Sequence, residues 1–118
     1  MTTTRRQRID DLTTFAVPEQ PALSPDGSRI AYVLRTVDAD ADRTVRSIWS
    51  VGARDGEPRQ LTRGRADVSP VWSPDGTRIA FHSLDGLGRA QLYTVRPNGS
   101  GLTRVRRSGQ DPSWLPGA

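Results

Sequence analysis

The chain contains no cysteine, no lysine and a single histidine, His82, and nowhere does it string together enough apolar residues for a membrane span. Each absence closes a class of function. Without cysteine there are no disulfide staples, no thiolate metal sites and no sulfur nucleophile, and a reducing cytoplasm is the compartment expected. A spanning helix needs roughly 18 or more consecutive apolar residues, and Arg5, Arg6 and Arg8 are followed by no apolar run of the kind a signal peptide carries. The expectation is a cytoplasmic chain without a membrane partner. Core material is scarce as well. Only 34% of the 118 residues are hydrophobic and the mean hydropathy is -0.60. The 11 glycines and 9 prolines are spread along the chain rather than gathered in a tail, which favours an all-β fold of many short strands over disorder.

The formal charge of +4 and pI near 10.9 raise the question of nucleic acid. All 17 basic residues are arginines, scattered among acids, and late in the chain only Arg104, Arg106 and Arg107 gather. A binding stripe needs clustering on one face, with aromatics for stacking on single strands. No nucleic-acid partner is expected.

An internal repeat settles the architecture. Pro21-Ala22-Leu23-Ser24-Pro25-Asp26-Gly27-Ser28-Arg29-Ile30-Ala31-Tyr32 returns as Pro70-Val71-Trp72-Ser73-Pro74-Asp75-Gly76-Thr77-Arg78-Ile79-Ala80-Phe81, 49 residues on. An eroded third copy starts at Pro112-Ser113-Trp114, 42 residues after Pro70. The difference of seven is assigned to an enlarged, acidic hairpin loop from Asp38 to Arg43, since insertions are tolerated in loops. Each copy reads as four short strands. In the second these are 68–73, 78–83, 91–96 and 102–106, with Ile79 and Phe81 on one face and Ala80 and His82 on the other. In the first, 30–35, 47–51 and 59–62 repeat the order. The turns Ser24-Pro25-Asp26-Gly27 and Ser73-Pro74-Asp75-Gly76 combine proline's preset φ, aspartate's local hydrogen bonding and glycine's access to positive φ.

Four antiparallel strands at this period match a propeller blade of roughly 40–45 residues. A small β-sandwich is the runner-up, but it requires no such recurring phrase. The reading is a partial β-propeller, about two four-stranded antiparallel blades plus the first strand of a third. Its divisions are an arm over 1–17, blades over 18–66 and 67–109, and the start of a third over 110–118. Ile9, Leu12 and Phe15 or Ala16 recur at helical spacing before Val17-Pro18, which predicts a short helix in the arm. Trp49, Trp72 and Trp114 are read as packing between blades. Cutting a propeller after two blades is expected to leave aromatics such as Trp49, Trp72, Tyr93 or Phe81 uncovered and the chain prone to self-association.

The phrase Ser-Pro-Asp-Gly-x-Arg-Ile-Ala-aromatic, followed by Gln91-Leu92-Tyr93-Thr94-Val95 and Asn98-Gly99, resembles the propeller repeat shared by TolB, tricorn-type proteases and the prolyl oligopeptidase family. The entry, Asp10 to Phe15, then Ser47 to Val51 and Gly56 to Thr62, resembles the start of acylaminoacyl-peptidase-like members of that last family. The resemblance implies a propeller that filters peptides over a C-terminal α/β-hydrolase domain carrying Ser, Asp and His. TolB is the alternative, implying a module for protein–protein interaction; it is made with a signal peptide, so the peptidases are preferred. A whole propeller of six to eight blades needs about 250–350 residues, and the ending Leu115-Pro116-Gly117-Ala118 reads as that of a truncated or frameshifted gene.

No catalytic, cofactor or metal residues are assigned. No Gly-x-Ser-x-Gly elbow occurs, and His82 with Ser83 and Asp85 makes a poor triad because neighbouring strand residues point to opposite faces. Asp26 and Asp75 are explained by turn chemistry. Asp38, Asp40 and Asp42 alternate like cation ligands but lack the glycine and glutamate of an EF-hand loop. Any partner is expected to be a protein or peptide.

Overall fold

The computed structural model describes residues 14–38, 42–54, 56–85, 87–105 and 114–115. Eight strands follow in order: β1 (Thr14–Leu23), β2 (Arg29–Asp38), β3 (Arg43–Gly52), β4 (Arg59–Gln60), β5 (Asp67–Trp72), β6 (Ile79–Leu84), β7 (Ala90–Val95) and β8 (Thr103–Arg104). They form two antiparallel sheets of four, β1-β2-β3-β4 and β5-β6-β7-β8. Each sheet is one blade, and the described part of the chain has no helix.

Proline explains which strand lies at the edge. Pro18 and Pro21 in β1, and Pro70 in β5, have no N–H for a second neighbour, so their strands occupy sheet edges. Both edge strands bulge at the same repeat position. The register slips between Glu19 and Ala22 and again between Val68 and Val71. There Gln20 and Ser69, each just before a proline, take left-handed φ values of 50° and 61°, a conformation costing of order 1–3 kcal/mol that the surrounding ladder must enforce. The bulges touch: the Ser69 N–H donates to Gln20 Oε1 at 2.8 Å.

The helix predicted from Ile9, Leu12 and Phe15 or Ala16 is corrected where the structure describes it. Phe15, Ala16 and Val17 belong to β1 and pair with Val37, Thr36 and Arg35; residues 1–13 lie outside the described part. A short helix gains little on its own, whereas β2 offers these residues a continuous ladder. The acidic insertion is corrected too. From the equivalent pairs Ile30↔Val51 and Ile79↔Val95, the first hairpin runs nine pairs to Asp38↔Arg43 and the second only six to Leu84↔Ala90. The extra residues lengthen the strands, because Asp38 and Arg43 pair instead of looping; 39–41 lie outside the described residues.

Alternation within each strand gives each sheet two faces. Ala31, Val33 and Ile48 of blade 1 are wholly buried against Trp72, Ile79, Phe81 and Val95 of blade 2. Burying a side chain of this size stabilises by about 1.5–3 kcal/mol, so this seam is the main core. Phe81 also stacks on Tyr93 with centroids 5.8 Å apart. On the far face of blade 2, Ala80 and Leu92 pack with Leu115, and Trp114 and Val105 lie against them. The expectation that Trp72 and Phe81 stand uncovered is therefore wrong: both face blade 1. The uncovered face is on the other side of blade 1, where Leu23, in the place that Trp72 holds in blade 2, is 61% exposed. Trp49 lies on that outer face, opposite Tyr32 in register, with its Nε1 donating to Ser47 Oγ at 3.1 Å.

Candidate functional site

The two Ser-Pro-Asp-Gly turns sit side by side at one end of the seam and wall a cavity of about 410 Å3 with Arg29, Trp72 and Pro97. Each turn is built identically. Ser24 Oγ donates to Asp26 Oδ1 at 2.8 Å, and Ser28 donates to the same oxygen through its N–H and its hydroxyl. Ser73, Asp75 and Thr77 repeat the pattern at 2.7, 3.1 and 2.7 Å. The Arg29 and Arg78 N–H groups close the loops onto Ser24 Oγ and Ser73 Oγ. Gly27 and Gly76, at φ 76° and 75°, return the chain to the next strand, a backbone state that glycine adopts without steric cost.

The carboxylates feel these donors. Bonds from the Ser28 hydroxyl and N–H, then from Ser24, lower the Asp26 pKa from 3.8 to about 2. For Asp75 the Ser73 hydroxyl leads, followed by Thr77, and the pKa again falls to about 2. Such a carboxylate is a poor general base near neutral pH. Each serine hydroxyl donates to a carboxylate and accepts a backbone N–H, so neither is an activated nucleophile. Arg29 directs Nη2 to the buried Ser50 Oγ at 3.1 Å, and its own buried Nε lacks a partner among the described residues.

Other residues singled out in the sequence are dispersed. His82 pairs with Val68 and Leu92, while Ser83 pairs with Asp67 and Gln91 on the opposite face. Asp85 accepts from the Arg89 and Leu87 N–H groups, which lower its pKa, and from the Arg89 side chain. These three make no triad. Asp42 is a left-handed turn residue at φ 52°, and no group of three potential metal-ligating side chains occurs among the described residues. Trp72 is 8% exposed and its Nε1 donates to the Ala22 carbonyl at 2.8 Å, across the seam. Trp114 is half-buried beside Leu115.

A second network escaped the sequence reading. The Ile48 N–H donates to Thr62 Oγ1 at 2.9 Å, the Thr62 hydroxyl donates to Asp67 Oδ2 at 2.6 Å, and the Gly64 N–H donates to the same oxygen at 3.1 Å. Asp67 is 2% exposed. Charged side chains are seldom buried so completely unless hydrogen-bonded or paired, and this one staples the connection between blades to the third strand of blade 1. Gly64 is required by it, since a Cβ there collides with the Asp67 carboxylate. Nothing in the linear sequence marks Asp67, which lies outside the repeated phrase.

Two bladed sheets stacked on a common seam, with repeated turns at one end, define a β-propeller segment. The comparisons agree. The TolB β-propeller (PD40) family matches residues 1–117, and the chain belongs to that family. It is 33% identical over 111 residues to the uncharacterized peptidase YuxL of Bacillus subtilis (strain 168), covering 91% of this chain and 17% of that protein. It is 41% identical over 83 residues to the Tol-Pal system protein TolB of Syntrophus aciditrophicus (strain SB), covering 66% of this chain and 17% of that one. Among solved structures, the acylaminoacyl peptidase of Pyrococcus horikoshii superposes with a TM-score of 0.64 at 23% identity, over 78% of this chain and 14% of the other. The chain thus spans about a sixth of the length of these curated relatives.

Proposed function

We propose that this segment is a non-catalytic part of the propeller that stands over the active site of a prolyl oligopeptidase family serine peptidase and filters the peptides reaching it. The observation that carries the reading is the likeness to the peptidase YuxL along 91% of the chain. The side-chain chemistry is in keeping with it: the serines and aspartates of the turns are spent on one another. The test has two arms. The 118-residue chain should not hydrolyse chromogenic acyl-peptide anilides above buffer rate, and activity abolished by His82→Ala or Ser83→Ala would overturn the non-catalytic assignment. In a longer polypeptide carrying a hydrolase domain, deleting residues 14–105 should raise turnover of protein-sized substrates relative to short peptides. An unchanged ratio would overturn the filtering role.

A second reading is favoured by the identity to TolB and by the outer face of blade 1. There Pro18, Pro21, Ile30, Tyr32, Leu34 and Val51 line an apolar groove of about 490 Å3. On this reading the segment is an interaction module, completing its ring with other blades or another copy. Tyr32→Glu should then turn a concentration-dependent oligomer into a monomer in light scattering, and an assembly unaffected by this charge would rule the face out.

A further inference from the structure

We propose that the end of blade 1 that overhangs blade 2 is a docking site for an acidic peptide segment, its carboxylate held by Arg35 and Arg46. The site exists because β2 and β3 outrun their counterparts. The Arg35↔Arg46 pair is level with Leu84↔Ala90, the last pair of the second hairpin, and Val37↔Thr44 projects beyond it. On the face turned toward blade 2, the ledge therefore extends past the sheet that covers Val33 and Ile48 below. Direct pairing places Phe15 beside Val37 and Val17 beside Arg35 on this same face, and Phe15 is 51% exposed.

The charge on this ledge is incompletely balanced. Like charges directly opposite one another on neighbouring strands are destabilising, and Glu19 relieves this pair by bridging it, Oε2 to Arg35 Nε at 2.9 Å and Oε1 to Arg46 Nε at 3.2 Å. One carboxylate between two guanidinium groups leaves a net charge of +1 on this face, while Asp38 and Arg43 pair on the opposite face and Asp42 follows at the hairpin's end. Each of these bonds uses one N–H of a guanidinium that has five, arranged in a fork that fits a second carboxylate bidentately. All three side chains remain about a third exposed. The Arg46 N–H, moreover, donates to the Arg65 carbonyl at 2.9 Å, which brings a third arginine's backbone alongside.

The ligand chemistry follows from this composition. A nucleic-acid backbone is held by a track of several cations matched to successive phosphates, and Glu19, Arg35 and Arg46 together offer one unit of net charge on this face. An acidic side chain flanked by apolar ones matches both halves of the surface: the carboxylate meets Arg35 and Arg46, and the apolar neighbours cover Phe15, Val17 and Val37. The inference does not depend on the peptidase reading.

The test is fluorescence anisotropy on the intact chain with a fluorescein-labelled peptide Phe-Glu-Glu-Leu-Glu, its glutamine counterpart Phe-Gln-Gln-Leu-Gln and an oligothymidylate. Self-association through the outer face of blade 1 leaves the ledge free, because the two faces are opposite. The Glu peptide should bind about tenfold tighter than the Gln peptide, the discrimination of a charge-assisted contact. Arg35→Gln and Arg46→Gln should each remove most of that preference, and Arg104→Gln, on β8, should not. Glu19→Gln separates recognition from folding: it frees both guanidinium groups and should tighten the Glu peptide even where it lowers the melting temperature. Equal affinity for the two peptides, weakening by Glu19→Gln in step with the arginine variants, or oligothymidylate binding tighter than the Glu peptide would each overturn the proposal.

Discussion

Replacing Trp72 with alanine should uncouple the two blades. With Ile79 and Phe81 of blade 2 it belongs to the buried cluster that also holds Ala31, Val33 and Ile48 of blade 1, and its Nε1 donates to the Ala22 carbonyl at 2.8 Å. Truncating a buried tryptophan costs about 3–5 kcal/mol, a large share of the roughly 5–15 kcal/mol that holds a domain together. Trp72→Phe keeps most of the apolar volume and loses the N–H, so the hydrogen bond's share, about 0.5–1.5 kcal/mol, can be separated from the packing. Urea titration followed by far-UV circular dichroism and by tryptophan emission reads both blades, since Trp49 lies in β3 and Trp114 packs against Ala80 and Leu92 of blade 2. With a slope of about 1–3 kcal/mol per molar urea, the alanine variant should lower the midpoint by at least about 1 M. An unchanged midpoint would mean that the sheets do not share a core, and the seam as described would be refuted.

Folding lowers the carboxyl pKa of Asp26 and Asp75 from 3.8 to about 2. The stability linked to them is therefore fully present above about pH 4 and lost as pH falls toward 2, because the unfolded chain takes up the protons first. Asp26→Asn with Asp75→Asn should flatten the melting temperature between pH 4 and 2, and an unaltered slope would show that the turns do not hold these groups. Gly64→Ala forces a methyl onto the Asp67 carboxylate; overpacking of this kind costs about 1–3 kcal/mol, and a melting temperature equal to wild type would show that the staple is absent.

The twelve-residue phrase repeated from Pro21 and from Pro70 determined the blade architecture by itself, because turn chemistry and strand alternation are local properties that each copy carries whole. Its leading proline, Pro21 and then Pro70, likewise marks the edge strand, which follows from one missing N–H. Other features depended on partners distant in the chain. Phe15 and Ala16 have helical spacing from Leu12, yet β2 supplies a ladder that short-range periodicity cannot reveal, and Asp38 and Arg43 look like loop residues until they are seen to pair with each other. Only the tertiary structure decided that Trp72 faces a neighbouring blade while Trp49 faces outward, since strand alternation assigns residues to two faces without saying which is covered. The burial of Asp67 and the bridging of Arg35 and Arg46 by Glu19 were invisible for the same reason: a charge is placed by what folds around it, and those neighbours come from other strands and from the connection between blades.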